Sequence, residues 1–320
     1  MSQQTDNRLL DDIELSNRQE HKLSYQIGKA ISDSGINQIG ESRHDLKSQF
    51  AGEFRGSHDI NANIGITSYA SMDKLQSQMH VLGTYCFARE GCNDLRQIKP
   101  EHIGNFLHAL VDCGYARNTV QSYAAACNKI AVILDRVNQI DTPRTETWSK
   151  AIADCKDEIS SCQAKDTNTR AYADPQAIVD NLPTDRMQLA GDMQLHYGLR
   201  IADATKIDGS KLDGLTLTVS SSKGGQDLRI TLSPEDAQRV RDICGDNKLD
   251  LRQSDYRSAL QDACAATGQE WTGSHGLRHN YAQDRIHTLV DQGVDYCAAK
   301  GIVSEELGHH RSEIIEVYLR

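Results

Sequence analysis

Three segments between residues 66 and 138 carry apolar side chains at the spacing of one face of an α-helix. Pro100 stands near the start of the second segment, and Gly91 and Gly114 follow the ends of the first and second, as expected at helix termini. Helices at such short intervals predict a small all-α bundle. The apolar positions are Leu75, Met79, Leu82 and Cys86, then Ile103, Phe106, Leu107, Leu110 and Val111, then Val120, Tyr123, Ala124, Cys127, Ile130, Ala131 and Leu134.

A second helical region is interrupted at residues 212–233, which read LDGLTLTVSSSKGGQDLRITLS. Two runs rich in Thr, Val, Leu and Ile flank a turn at Lys223-Gly224-Gly225, a pattern typical of a β-hairpin. The predicted fold class is mainly α, with a small antiparallel β-sheet in the C-terminal domain. We expect a polar N-terminal extension at 1–65, a helical domain at 66–162, a linker at 163–172 and a mixed domain at 173–320.

Composition restricts the class of protein. Mean hydropathy is −0.57, and no run approaches the roughly 20 apolar residues of a membrane-spanning helix. The first residues, MSQQTDNRLL, lack the basic and apolar regions of a signal peptide. The nine cysteines are scattered without a Cys-x-x-Cys pair, so we expect reduced, buried thiols rather than a disulfide framework or a zinc site. A soluble, cytoplasmic protein is expected.

The charge balance is acidic. A net charge of −10 weighs against nucleic-acid binding, which usually goes with a basic excess. Residues 51–150 nevertheless hold ten basic and ten acidic side chains, and the acidic excess lies mainly in 151–320. Any binding of DNA must therefore depend on local groups of basic side chains.

Several residues of the second half could carry chemistry, although each also has an ordinary interpretation. Arg200, in GLRIADATKI, is followed three positions later by Asp203, which alone describes a surface ion pair. Lys223 alone is a solubilising loop residue. His275 and Arg278, in SHGLRHNYA, share a helix face, a pairing that chance also produces.

A zinc site was weighed for the same segment. His275 and His279 are four residues apart, but Gly276 stands where a zinc protease helix has its Glu base, and no third ligand follows at an expected spacing. We therefore expect no metal and no cofactor.

The phrase LGHHRSEIIEVY places Tyr318 nine positions after His309. Leu-Gly-His with a tyrosine at that distance has a chance expectation of about a few in a thousand in a chain of this length, counting each position at ~1/20. This phrase is therefore informative where the shorter patterns are not.

In this order, the motifs resemble the catalytic domain of the tyrosine recombinase (phage integrase) family. GLRIADATKI is similar to the family's first Arg box, in which an acidic residue three positions later helps to hold the Arg. VSSSKGG is similar to the β-hairpin Lys, HGLRH to the His-x-x-Arg box and LGHHRSEIIEVY to the final His-to-Tyr box. The similarity covers about 175–320, and the helices of 66–138 resemble, more weakly, the family's core-binding domain. It implies a core-DNA-binding domain over 66–162 and a catalytic domain over 173–320.

The resemblance implies a site-specific recombinase, and the residue types suit that chemistry. Arg200, supported by Asp203, and Arg278 would clamp the nonbridging oxygens of a phosphodiester through planar, charge-assisted hydrogen bonds. Tyr318 would be the nucleophile and form a covalent 3′-phosphotyrosine.

Three further side chains complete the implied catalytic set. His275 would act as acid/base near the phenolic proton, and His309 would donate a hydrogen bond to the phosphate. Lys223 would protonate the departing 5′-oxygen, a step that typically contributes about 10²–10⁴-fold. The chemistry needs neither metal nor ATP.

The implied partner is double-stranded DNA with a specific recombination site, bound by a homotetramer on synapsed DNA, with an excisionase or a host DNA-bending factor as a further possible partner. The protein would be cytoplasmic and associated with the nucleoid when bound to DNA. Only Leu319 and Arg320 follow the tyrosine. Either the sequence is truncated there, or subunit contacts come from elsewhere, such as residues 1–65. The DNA-facing surface is expected at the start of one bundle helix, with an ordinary solvated face as the alternative, at Arg117, Asn118, Thr119, Gln121, Ser122 and Lys129.

Two other functions remain open. A catalytically silent DNA-binding accessory protein of the same fold is favoured a little by the acidic balance and opposed by the six catalytic-type residues. A type IB topoisomerase-like activity would share much of the chemistry.

Overall fold

The computed structural model describes residues 8–49, 57–138, 142–164, 169–220, 227–309 and 312–319. The chain divides into two compact units, Met1–Asp166 and Thr167–Arg320, here called unit 1 and unit 2. No helix in the described ranges is long and apolar enough to cross a membrane.

The described residues of unit 1 form helices and their connections, with one isolated parallel β-bridge between Asn37 and Ile66. Ser16 accepts from the backbone N–H of Gln19 in a capping box at the first α-helix, and Ser68 caps the fourth by accepting from the N–H of Ser71. Short 3₁₀ helices lie at Arg8–Leu10 and Leu95–Gln97. The α-helices are α1 (Asn17–Asp33), α2 (Arg43–Gln49), α3 (Ser57–Asn63), α4 (Tyr69–Arg89), α5 (Pro100–Asp112), α6 (Arg117–Val137), α7 (Arg144–Asp154) and α8 (Lys156–Ser161).

The predicted apolar stripes form the core of unit 1. Met79, Phe106 and Ile130, one from each predicted segment, are at most 1% exposed, whereas Val111 is only half-buried. Helices α7 and α8 follow one another directly and are separated at Cys155, whose N–H bonds to the carbonyl of Ile152 and tightens the turn between them.

Helix α1 belongs to the same core, although the sequence around it is polar. Its buried residues Leu23, Ile27, Ala30 and Ile31 follow a helical spacing, and α1 packs on α4 and α6. As a packing unit, the residues before 65 are therefore continuous with those after it. A separate functional role for residues 1–65 stays a prediction.

Unit 2 is mainly helical with one small sheet. Its strands are β1 (Leu212–Asp213), β2 (Thr216–Val219) and β3 (Leu228–Thr231), in the antiparallel order β1-β2-β3. A 3₁₀ helix, Ser312–Val317, follows the last α-helix. The α-helices are α9 (Pro175–Asp180), α10 (Asp185–Tyr197), α11 (Ile201–Ala204), α12 (Pro234–Cys244), α13 (Gln253–Ala266), α14 (Gly276–Asp291) and α15 (Tyr296–Glu306).

The predicted hairpin is confirmed in its two strands. Leu217 pairs with Ile230 and Val219 with Leu228, and Leu217 is fully buried in the core of unit 2. The predicted turn, with Lys223, lies outside the described residues. The predicted class, mainly α with a small antiparallel sheet in the C-terminal part, is confirmed.

The cysteines are free thiols, and most are buried. Burial raises the pKa of Cys127 to about 12, which makes it an inert apolar side chain at neutral pH. Cys297 is exposed and Cys113 is half-buried, so burial does not extend to all nine. Among the described residues, no three His, Cys, Asp or Glu side chains gather as metal ligands would.

Candidate active site and nucleic-acid interface

The turn after α10 sets the position of Arg200. Gly198 ends α10 with φ of +63°, and a Cβ there would lie 2.5 Å from the Tyr281 ring and 2.6 Å from Leu307. Only glycine suits both the left-handed backbone and the close packing. The chain then reverses, so that Arg200 caps α11 with Asp203 in its first turn, and their charged groups lie 3.8 Å apart.

Arg278 lies in the first turn of α14 and is 1% exposed. Its Nη1 donates to the carbonyl of Gly198, and its Nη2 donates to the carbonyl of Leu307 at 2.7 Å. Burial lowers the pKa of the guanidinium, and the neighbouring Tyr318 opposes that shift. Arg278 is therefore a buried cation fixed by backbone carbonyls.

The two arginines meet at the C-terminal end of α15. Nη2 of Arg200 donates to the carbonyls of Leu307 and Gly308, each at 3.3 Å, and Leu307 is also an acceptor for Arg278. Exposed carbonyls at the end of a helix carry partial negative charge, which suits two cations. Gly308, with φ of +63°, then turns the chain, and the N–H of His309 bonds to the carbonyl of Ser304 at 2.9 Å.

Tyr318 contacts both Arg278 and His309. Its hydroxyl lies 3.3 Å from Nε of Arg278, which donates to it, and 3.1 Å from Nε2 of His309. Nη2 of Arg278 also lies 3.0 Å from Nε2 of His309. Because a guanidinium can only donate, Nε2 accepts in this arrangement, and the neutral imidazole carries its proton on Nδ1.

This cluster favours an anion. Two guanidiniums lie at one helix end, and Asp203 is the carboxylate whose charge raises the pKa of Arg278. Buried positive charge attracts a ligand of opposite charge. A phosphodiester has two nonbridging oxygens that share one negative charge, and these oxygens can accept the hydrogen bonds that paired guanidiniums donate.

The remaining predicted catalytic residues differ in what the structure describes. His275 is half-buried at the N-cap of α14, one turn before Arg278, and its charge contributes to lowering the pKa of His279. Lys223 lies outside the described residues. The described cluster therefore joins Arg200, Asp203, Arg278, His309 and Tyr318.

Side chains that the sequence analysis did not select also contact Tyr318. The His279 ring lies against the Tyr318 ring, with centroids 4.6 Å apart, and Nε2 of Gln283 donates to the Tyr318 carbonyl at 2.9 Å. His279 was considered only as a zinc ligand. The sequence offers one signal for these two residues, which is that positions 278, 279 and 283 are close together on one helix. The signal is useful only if Tyr318 is known to pack on α14.

A second group of residues braces α14 against α15. Arg285 donates to both carboxylate oxygens of Glu306 at 2.8–3.1 Å, and the Tyr281 hydroxyl donates to Oε2 at 2.8 Å. Glu306 immediately precedes Leu307, the carbonyl shared by the two arginines. This network thus holds the helix end on which the cluster is built.

In unit 1, the predicted DNA-contacting residues separate into two groups. Arg117 donates twice to the carbonyl of Cys162, at 3.1 and 3.0 Å, so its guanidinium ties α6 to the end of α8. Asn118 and Gln121 are exposed, and Thr119 is half-buried. Ser122 and Lys129 instead line a cleft.

The cleft has a volume of about 410 Å³ and is lined by residues of α2, α3, α4 and α6 and by residues 65–67. Its lining in the described residues includes the cations Arg43, Lys74 and Lys129 and no Asp or Glu. Nζ of Lys129 donates to the carbonyl of Ile64 at 2.6 Å. Burial, with the charges of Arg136 and Arg43, lowers the pKa of Lys129 to about 8. The arrangement offers several donors and positive charge to an anionic ligand.

Solved structures with a similar fold were found. One is a lambda integrase dimer bound to a COC′ core site, at a TM-score of 0.58 and 17% identity, covering 89% of this chain and 79% of that chain. A lambda integrase tetramer bound to a Holliday junction has a TM-score of 0.53 at 17% identity, with coverage of 84% and 77%. The Tn1549 transposon integrase in complex with transposon right end DNA has 0.51 at 13% identity, with coverage of 86% and 94%.

Comparison of sequences adds nothing to this. No protein-family model and no curated protein matches the chain. At identities of 12–17%, the structural likeness concerns the fold. The protein has the fold of the tyrosine recombinases.

Proposed function

We propose that the protein is a site-specific DNA recombinase of the integrase type, which cleaves and rejoins DNA strands through a covalent 3′-phosphotyrosine at Tyr318. The observation that carries the proposal is the contact of one phenol with both Arg278 and His309, at 3.3 and 3.1 Å. The fold shared with integrases solved on DNA supports DNA as the substrate.

In the proposed reaction, Arg200 and Arg278 bind the nonbridging oxygens of the scissile phosphate and stabilise the charge of the pentavalent transition state. The Tyr318 oxygen attacks phosphorus, and the bond to the 5′-oxygen breaks. Lys223 gives that oxygen a proton. A 5′-hydroxyl from a second strand then reverses the step, because the phosphotyrosine retains the energy of the phosphodiester.

Two histidines are candidates for the phenolic proton. The motif resemblance suggests His275 as the acid/base. The unprotonated Nε2 of His309 lies 3.1 Å from the phenol oxygen, which supports His309 as an alternative acceptor. Once His309 is protonated, it can donate to a phosphate oxygen, the role that the resemblance suggests.

The test is covalent capture. Wild type and Tyr318→Phe are incubated with a pool of nicked duplexes drawn from the DNA that flanks the gene, so that the short cleaved fragment diffuses away. Wild type should give a DNA-linked band on a denaturing gel, and Tyr318→Phe should bind DNA without forming it. Specific binding by wild type without an adduct would overturn the proposal in favour of an accessory protein. Relaxation of any supercoiled plasmid would favour a topoisomerase.

The assembly is proposed from the fold alone. Lambda integrase with the same fold has been solved as a tetramer on a Holliday junction, which supports four copies of this chain on synapsed DNA. Mass photometry on a duplex that carries the identified site should show two copies per site and four per synapsed pair. An excisionase or a DNA-bending factor stays a prediction.

A further inference from the structure

Helix α14 contacts Tyr318 at three separate points. Nε of Arg278 reaches the hydroxyl at 3.3 Å, the His279 ring lies 4.6 Å from the phenol ring, and Nε2 of Gln283 reaches the backbone carbonyl at 2.9 Å. The three residues lie within little more than one turn of a single helix. One rigid helix therefore contacts the hydroxyl, the ring and the main chain of Tyr318.

His279 is unusual among these side chains. It is 4% exposed, and its Nδ1 is buried without a hydrogen-bond partner among the described residues. An unpaired buried polar atom destabilises the folded state, so an apolar ring would make a more stable core here. The tolerated cost suggests a role in placing Tyr318 rather than in packing.

Gln283 uses both protons of its amide nitrogen. One is directed to the Tyr318 carbonyl, and the other to Oγ1 of Thr169 at 3.0 Å. Thr169 lies close to the start of unit 2, in the segment that precedes the buried Tyr172. The amide thus fixes the main chain of Tyr318 against two parts of the same unit.

We propose that His279 and Gln283 are positioning residues for Tyr318, which set the ring plane and the main-chain position of the nucleophile so that its hydroxyl meets Arg278 and His309. The proposal rests on the proposed function of Tyr318 as the nucleophile. Neither residue touches the reacting atoms. Displacement of a reacting group by about 1 Å costs up to roughly 10²-fold in rate.

The first measurement is the rate constant for covalent capture at saturating DNA, together with the dissociation constant for DNA. Gln283→Met keeps the side-chain length and removes the donor, and His279→Leu removes the flat ring. Each should slow capture by about tenfold with the dissociation constant unchanged within about twofold. Matched controls at exposed positions, His287→Leu on α14 and Gln292→Met immediately after it, should leave both values unchanged.

The second measurement needs no activity. 3-Fluorotyrosine is incorporated at position 318 of the full chain without DNA, and its ¹⁹F resonance is recorded in each background. Wild type and both controls should share one dispersed resonance, and Gln283→Met and His279→Leu should move or broaden it. Thr169→Val, which removes one of the two acceptors of Gln283, should produce a smaller change in the same direction.

The outcomes separate the two proposals. If wild type forms no adduct but the ¹⁹F resonance responds to Gln283→Met, the proposed function fails and the placement of Tyr318 by α14 stands. If wild type forms the adduct and both variants match its rate, or if the resonance is unmoved in both, the positioning role is overturned. Equal loss of DNA affinity and capture would also overturn it, because that pattern indicates a general folding defect.

Discussion

Units 1 and 2 each bury a basic side chain against backbone carbonyls, but they use different cations. In unit 2, Arg278 donates to the carbonyls of Gly198 and Leu307 and remains a planar, charged fork. In unit 1, Lys129 donates to the carbonyl of Ile64, and its pKa is lowered to about 8. Under the proposed function, an arginine held in this way would orient one phosphate, whereas a lysine in a basic cleft would attract any point of a phosphate backbone. The contrast is between a proposed catalytic residue in unit 2 and a proposed DNA-binding residue in unit 1.

The strongest test of the comparison is Arg278→Lys. A lysine cannot replace a fork that reaches two carbonyls and the Tyr318 hydroxyl, so covalent capture at saturating DNA should fall by about 10²–10³-fold. The rate is measured by quenched single-turnover gels. Arg241→Lys is the matched control, because Arg241 also donates to a carbonyl, that of Gly214, but on the exposed surface. If Arg278→Lys slows covalent capture by less than about fivefold, unit 2 does not require a guanidinium at this position.

A second prediction concerns acid, which should affect unit 2 through His279. Burial, with the charges of Arg170 and His275, lowers the pKa of His279 to about 4, below the usual value near 6.5. The unfolded form therefore binds more protons between these values, and the free energy of unfolding falls as the pH falls from about 6.5 to 4. The loss of unfolding free energy that comes from His279 should reach roughly 2–3 kcal/mol. The variant His279→Leu should lack this part of the loss.

The measurement can be confined to unit 2, since the two tryptophans, Trp148 and Trp271, lie in different units. Urea unfolding of a Trp148→Phe background at pH 7 and pH 4.5 follows Trp271 alone. If the free energy of unfolding falls equally between pH 7 and pH 4.5 with and without His279, other groups determine the acid sensitivity.

The sequence predicts the reacting side chains better than their supports. Arg200, Arg278, His309 and Tyr318 are uncommon residue types at fixed separations, and the structure brings them into one cluster. Their acceptors could not be predicted, because the carbonyls of Leu307 and Gly308 look like every other carbonyl in a sequence. His279 and Gln283 were missed for the related reason that their partner is 39 and 35 residues away along the chain.

The surface of unit 1 was the least predictable part. The start of α6 was chosen from the resemblance to the family, but a resemblance cannot reveal that the Arg117 guanidinium is bound to the carbonyl of Cys162. The cleft is lined by residues of four helices, α2, α3, α4 and α6, and by residues 65–67, so it includes Arg43, which is far away in sequence. Likewise, the four buried residues of α1 are dispersed among polar ones, so their place in the core depends on contacts with α4 and α6.

The third prediction tests DNA binding by the cleft of unit 1. Lys74→Met and Lys129→Met each remove one cation from the cleft, so each should reduce the slope of log affinity against log salt by about 0.9 and weaken DNA binding several-fold. Capture at saturating DNA should be unchanged. Lys156→Met, at an exposed position of α8, is the control. A changed slope in the control, or an unchanged slope in both cleft variants, would place the contact surface elsewhere.

The smallest expected effect concerns the brace beneath the cluster. Glu306→Gln keeps the acceptor for Tyr281 but removes the charge that Arg285 holds with two donors. Because both charged side chains are about a third exposed, at 35% and 28%, solvent screens the pair. Its loss should cost about 1 kcal/mol or less in the free energy of unfolding of unit 2, followed through Trp271. Capture should nevertheless slow by several-fold, since Leu307, the shared acceptor of Arg200 and Arg278, is the next residue. Glu270→Gln, at an exposed position of the same unit, should change neither quantity. A stability loss without any slowing of capture would mean that the carbonyls of α15 are held by α15 itself, and that the brace supports the fold rather than the site.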